Sequence, residues 1–343
     1  MRIVVAERRV DLRYFAIAFV PITIFSLNAV ITGHLIAADL NVPVDILQTD
    51  RPWLEAVGRY RFLAATWFFV ALAVLPVALL ARNLSRPMAR ETRMVSIATV
   101  IVISLLALTP VLQQNADPEA TRIYHRLGAD VFEAALSMGT LPGCAGPERI
   151  WLMGACGDVP VVTLFHRTLD IVTVVAGLAV GALIVGMILC LEARDSEDVE
   201  DVAAQLARNF QQMRQQLYLS SLILTFGMFF ATSWMHWPLP LITETEKPAY
   251  SALVLASALF TGTYFSLLLL SFYLPVALIL DGRVKQLADA AARAPQSGEA
   301  LDINDWKTSH GLKEGASDYI RAGFALTAPI LAAFTGGISP IAF

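Results

Sequence analysis

Six stretches of this chain, each 19 residues or longer, contain no Asp, Glu, Lys, Arg or His: 14–32, 62–80, 94–112, 171–191, 217–235 and 250–280. A helix needs about 20 apolar residues to cross roughly 30 Å of hydrocarbon. Lipid offers no partner for a free backbone N–H or C=O, so such runs must fold as helices that satisfy their own backbone. The expected fold class is therefore an all-α integral membrane protein built on a six-helix transmembrane bundle. The last run has 31 residues, about 46 Å of helix, and must tilt, kink or project; Pro275 marks a kink near one end.

Composition points the same way. Only 16% of the 343 residues are charged and 56% are apolar, against about a quarter charged in an ordinary soluble domain. The 25 basic and 29 acidic residues nearly balance, which argues against a nucleic-acid partner. There is no polybasic cluster that would read anionic lipid. Arg2, Arg8, Arg9 and Arg13 resemble the head of a signal peptide, but the apolar run behind them is too long, so it reads as a retained first helix.

Cytoplasmic loops are enriched in Lys and Arg. Seventeen of the 25 basic residues fall on the side of the N-terminus, among them Arg82, Arg86, Arg90 and Arg93 between the second and third runs. The expected location is a cell membrane of the bacterial inner-membrane type with the N-terminus cytoplasmic. Trp53, Tyr60, Trp67, Trp234, Trp237 and Tyr250 fall at the outer boundary, where amphipathic rings form belts.

The chain divides into an N-terminal three-span half (1–112), a long extracytoplasmic loop (113–170), the fourth span (171–194), the fifth and sixth spans with a cytosolic extension (195–293), and a linker with an apolar C-terminal segment (294–343). In the outer loop, Ile123, Leu127, Val131, Ala135 and Leu136 predict an amphipathic helix between 117 and 138. Cys144 and Cys156 share the same loop, where an oxidising compartment favours a disulfide; Cys190 lies in the fourth span. The uncharged stretch 322–343 is interrupted by Pro329, Gly336, Gly337 and Pro340. It reads as a re-entrant segment or a seventh span, with the expectation that it does not cross.

On the cytosolic side, Asp195 and Ser196 are cap candidates for a helix that runs unbroken into the fifth span. Val199, Val202, Leu206, Phe210, Met213 and Leu217 form one apolar stripe, and Leu280, Val284, Leu287 and Ala291 form its counterpart. Together they predict a helical hairpin that extends the fifth and sixth helices, either as a handle for self-association or a soluble partner, or as a pair that packs only on itself. Gly177 and Gly181, and Ala258, Gly262 and Ser266, form small-residue faces that allow close helix approach.

Chemistry is sparse. There is no nucleophile elbow, no zinc-protease helix, no phosphate loop and no paired cysteine motif with zinc spacing. The lack of ionisable residues within the six runs counts against proton-coupled transport. A passive pore lined by hydroxyls stays open; Thr23, Ser26, Asn28, Thr32, Ser257, Thr261 and Thr263 are candidates, although such groups more often bond their own helix. His34, His125, His166 and His236 map to the outer boundary, where Met153, Met235 and Asp39 could join them in a transition-metal or haem site. No cofactor is expected otherwise.

Three functions are thus weighed. The first is a non-enzymatic, oligomeric membrane protein, acting as a passive channel or as a signalling or scaffold component. The second is a redox protein using the outer histidines. The third is a transporter of a neutral small molecule, with Pro21, Pro76, Pro110 and Pro275 at its moving helices.

Overall fold

Uncharged runs of this length have one stable arrangement in lipid, and a computed structural model shows it. The structure describes residues 8–32, 55–116, 127–128, 130–131, 161–193, 198–293, 302–313 and 315–337. In order, the elements are α1 (Leu12–Val30, opening with the 3-10 turns Leu12–Ala18), α2 (Glu55–Ser85), α3 (Arg90–Ala116), α4 (Val161–Ile188), α5 (Val199–His236), α6 (Lys247–Arg293), α7 (Ile303–Ser309) and α8 (Ala316–Gly337). No strand occurs among the described residues; Arg8 and Arg9 make only isolated bridges to Met88 and Ala193.

Seven of these helices, all but α7, are long and apolar enough to cross a membrane. This corrects the expected count of six, and the correction lies in α8. Instead of breaking at Pro329, α8 continues to Gly337. At its start Asp318 pairs with Arg214 at 3.4 Å. Halfway along, a Cβ on Gly262 of α6 would lie 2.9 Å from Pro329 O and 2.5 Å from Ala333 Cβ. At its end Gly336 meets Thr232 and Gly337 meets Leu255 and Ala258. The helix therefore traverses the full thickness of the bundle, and it does not turn back. Proline is tolerated at this depth because neighbouring helices shield the exposed backbone.

The centre of the molecule is α4. Within its most apolar window 72% of residues are buried, against 22% for each of α1, α2 and α3. Every residue from Gly181 to Leu191 is buried. α2 and α3 each pack lengthwise on α4, while α5 and α6 touch it and carry α8 between them. Without a hydrophobic drive between helices in lipid, association rests on close packing. Gly177 supplies it: a Cβ there would sit 2.2 Å from Ala107 Cβ on α3. Gly181 faces Val100 and Ile103 one turn along. The outer flanks of α1–α3 present Phe19, Leu27, Trp67, Phe68, Leu105 and Leu112 to the surroundings, as lipid contact requires.

Two helices are longer than a bilayer crossing needs. α5 has 38 residues and α6 has 47, about 57 and 70 Å at 1.5 Å per residue, against some 30 Å of hydrocarbon. The surplus forms a hairpin at the end that carries Arg8 and the α2–α3 connector. Its stripe is spent inside the chain: Leu206, Phe210, Met213, Leu217, Leu280, Val284 and Ala291 are buried in one cluster with Val10, Phe15, Met88 and Trp306, and Val199, Val202 and Leu287 pack against it. The cap of α5 is Asp198, whose backbone is extended and whose carboxylate accepts from Glu200 N at 3.1 Å. It takes the place proposed for Asp195 and Ser196, which lie outside the described residues.

The aromatic belt needs a second correction. Tyr60 and Trp67 are exposed as expected, but Trp234, Trp237 and Tyr250 are fully buried. The two tryptophans pack with Phe62 and Phe230, ring centroids 5.3–5.7 Å apart, and Tyr250 of α6 is buried in the same cluster. Tyr250 Oη, with one proton to donate, lies 2.7 Å from Met235 O and 2.8 Å from Leu127 O, within reach of either buried carbonyl. Of the predicted outer-loop helix, Leu127, Gly128, Asp130 and Val131 are described, all helical, with Leu127 and Val131 buried on the same cluster.

The glycines give a paired prediction. Gly177→Ala forces α3 away from α4 and is expected to lower stability by about 1–3 kcal/mol. Gly282→Ala on α6, where a Cβ meets nothing within 4 Å, is expected to raise it by about 0.5–1 kcal/mol through helix propensity. Thermal unfolding of the two variants in detergent checks this, and the opposite order of melting temperatures would refute the close approach.

Candidate functional site

A helix ends with four carbonyls that have no partner in the helix, and its dipole leaves that end partly negative. α4 ends in the interior, after the 3-10 turn Leu189–Leu191, so these groups must be met by other elements. Arg283 of α6 donates from Nη1 to Leu191 O at 2.9 Å and lies 3.5 Å from Glu192 O. Its guanidinium also stands 5.3 Å from the Tyr14 ring centroid on α1. Asn209 of α5 donates to Glu192 O at 2.9 Å. A cation and an amide thus cap the central helix from two neighbours.

The Glu192 side chain joins a second layer. Its Oε2 pairs with the Arg8 guanidinium, and both side chains are about nine-tenths buried. Its Oε1 accepts from Gln205 Nε2 at 2.7 Å. Gln205 Nε2 also lies 2.9 Å from Asn209 Oδ1, and Gln205 Oε1 accepts from Arg208 at 3.0 Å. The N-terminal segment is held in place by backbone bonds as well: Ala89 N donates to Arg8 O and Ala193 N to Arg9 O, both at 3.0 Å. One connected network therefore ties the N-terminal segment, the α2–α3 connector, α4, α5 and α6. Beside it opens a cleft of about 400 Å³, lined by Glu192, Asp201, Gln205, Arg283, Gln286 and Leu287.

The chemistry of this arrangement is that of a clamp. Both carboxylate oxygens of Glu192 are committed to donors, and the arginine, amides and carbonyls around it include no nucleophile paired with a base. Breaking a buried ion pair strands the remaining charge.

The sequence-predicted residues fall elsewhere. His34, His125, Met153, Asp39, Cys144 and Cys156 lie outside the described residues, and of His166 only the backbone, in the first turns of α4, is described. His236 is buried at the end of α5, with its ring beside the last backbone units of α8 at Gly336 and Gly337. Met235 is buried and its carbonyl accepts from Tyr250. Among the described residues no group of three or more His, Cys, Asp or Glu is placed to hold a metal ion. Cys190 is a free, buried thiol whose Sγ lies 3.3 Å from Gly186 O. Gly177, Gly181 and Gly262 are helix contacts as described above; Ala258 is fully buried and Ser266 half-buried. The candidate pore hydroxyls turn back on their own helices: Thr23 to Phe19 O, Ser26 to Ile22 O, Thr32 to Asn28 O, Thr261 to Ser257 O and Thr263 to Leu259 O, at 2.8–3.0 Å.

Sequence reasoning passed over Glu192, Gln205, Asn209 and Arg283. A signal was present: Gln205 and Asn209 interrupt the apolar stripe of α5 on its inward side, next to Leu206 and Phe210. Polar residues on an inward stripe need partners, which here come from a helix terminus invisible in the local sequence. No family model, curated protein or solved structure matches the chain.

Removing one partner of the clamp is expected to be costly. Glu192→Ala should lower stability by about 3 kcal/mol, and the double variant Arg8→Met/Glu192→Leu should lose less than either single change. Unfolding titrations in mixed micelles test this; losses that simply add would mean that the two side chains are not coupled.

Proposed function

We propose that the protein is a non-enzymatic, oligomeric multi-pass membrane protein that serves as a signalling or scaffold component, with its N-terminus and the α5–α6 hairpin in the cytosol. The observation that carries this reading is the continuity of α5 and α6. Each runs without a break from the buried aromatic core at one end of the bundle, past the α4 clamp, into the hairpin at the other. Rigid helices of this kind carry a displacement along their length, because a packed interior does not deform smoothly. The basic residues on the hairpin side, Arg82, Arg86, Arg90, Arg283 and Lys285 among them, support the cytosolic placement.

The channel form of the same reading is less well supported. The hydroxyls that would line a pore donate to their own backbones, and Thr23, Ser26 and Thr263 stand on exposed flanks of the single chain.

Two measurements test the proposal. In a Cys144→Ser/Cys156→Ser background, Ser85→Cys in the α2–α3 connector should react with a membrane-impermeant maleimide only after the cell is permeabilised; labelling of intact cells would invert the topology. Purified protein in planar bilayers should give no stepwise current, and cross-linking in the same membranes should trap dimers or larger species. Reproducible unitary currents would replace the signalling reading with the channel.

A further inference from the structure

The linker between α6 and α8 contains a compact strap, residues 302–313, that the proposed function does not use. A seven-residue helix is too short to persist alone in water, yet α7 is finished at both ends. Asp302 caps it by accepting from Asn304 N at 2.8 Å and Asp305 N at 3.4 Å. At the other end Gly311 takes the left-handed conformation, φ 66°, that glycine adopts without a Cβ penalty. Gly311 N donates to Thr308 O at 3.1 Å and Leu312 N to Lys307 O at 2.8 Å, the paired bonds of a Schellman stop. Trp306 and Leu312 are buried in the same cluster as the hairpin stripe, so docking on the hairpin is what holds the strap folded.

His310 fastens this strap. Its Nδ1 lies 2.7 Å from Trp306 O, and its Nε2 lies 2.8 Å from Glu200 Oε2 in the first turn of α5. A carbonyl and a carboxylate both only accept, so both ring nitrogens must donate, and only the imidazolium does that. The positive ring also sits at the C-terminus of α7, where the helix dipole favours a cation. The neighbouring elements carry Glu200, Asp201 and Arg208 on α5, Asp289 and Arg293 on α6, and Asp305 and Lys307 on α7 itself. Among the described residues only Glu200 forms an ion pair with the ring; Ser309 Oγ is 3.2 Å from Nδ1.

We propose that residues 302–313 form a proton-operated latch, closed on the hairpin when His310 is protonated and loosened when it is neutral. The hydrogen bond to Trp306 O, and then the bond and charge of Glu200, raise the His310 pKa above its ordinary 6.5. Because the folded value exceeds the unfolded one, the stabilisation is complete below pH 6.5. It fades as pH rises through the folded value. The change sets in above pH 6.5, and it acts on the segment that joins the end of α6 to the start of α8. The inference stands on the contacts of α7 and does not depend on the signalling reading.

Hydrogen exchange by mass spectrometry on the full-length protein in lipid nanodiscs tests it. After correction for intrinsic rates, peptide amides of residues 302–313 should lose about three- to fivefold protection between pH 6 and pH 8.5, the range an exposed pair supports. His310→Gln should show the weak protection at both pH values. Glu200→Gln, which leaves the strap sequence intact, should shift the midpoint downward, and selectively labelled histidine should show His310 titrating above 6.5 in the wild type. Protection independent of pH in the wild type, or a wild-type response retained in His310→Gln, would overturn the latch.

Discussion

A helix that stops inside a protein must find partners for its last carbonyls, and in this molecule that requirement organises everything around the end of α4. Because Leu191 and Glu192 are buried among neighbouring elements, their carbonyls are met chiefly by protein donors. Arg283 and Asn209 supply the donors from α6 and α5, and Glu192, the residue at the stop, recruits Arg8 and Gln205. The clamp fixes the register of α5 and α6 relative to α4 at the base of the hairpin. It also ties the N-terminal segment across the bundle, so that α1 enters from a defined point.

The rest of the packing follows from that fixed end. Moving away from the clamp, helix separation is set by small residues: Gly181 and Gly177 against α3, and Gly262 against α8. At the far end the contacts change character, and large rings fill the space where α2, α5 and α6 converge, with Tyr250 Oη within reach of two carbonyls. One terminus is thus polar and clamped, the other aromatic and dry. The long helices between them are rods anchored at both ends, which is why a functional reading built on α5 and α6 is physically reasonable.

Much of the architecture was legible in the sequence. The long uncharged runs named six of the seven helices, and the alternation of apolar residues every three or four positions in 199–217 and 280–291 announced the hairpin. The seventh helix was harder to read. Pro329 and the Gly336–Gly337 pair look like breaks when α8 is considered alone, and they cease to be so only because Gly262 and Thr232 stand opposite them. The aromatic residues at the outer boundary misled for a related reason: Trp234, Trp237 and Tyr250 have the amphipathic chemistry of belt residues, and only the convergence of three helices turns them inward.

What the sequence by itself determined is the class of solution, helices in lipid, because a chain with so few charges along such lengths has no other way to satisfy its backbone. It also determined which residues could turn inward, through the stripes and the glycines. Tertiary structure alone decided which polar groups meet. Arg8 and Glu192 are separated by 184 positions, and His310 and Glu200 by 110. No local pattern encodes such pairs, since their energies arise only once burial removes the water that each group would otherwise have kept.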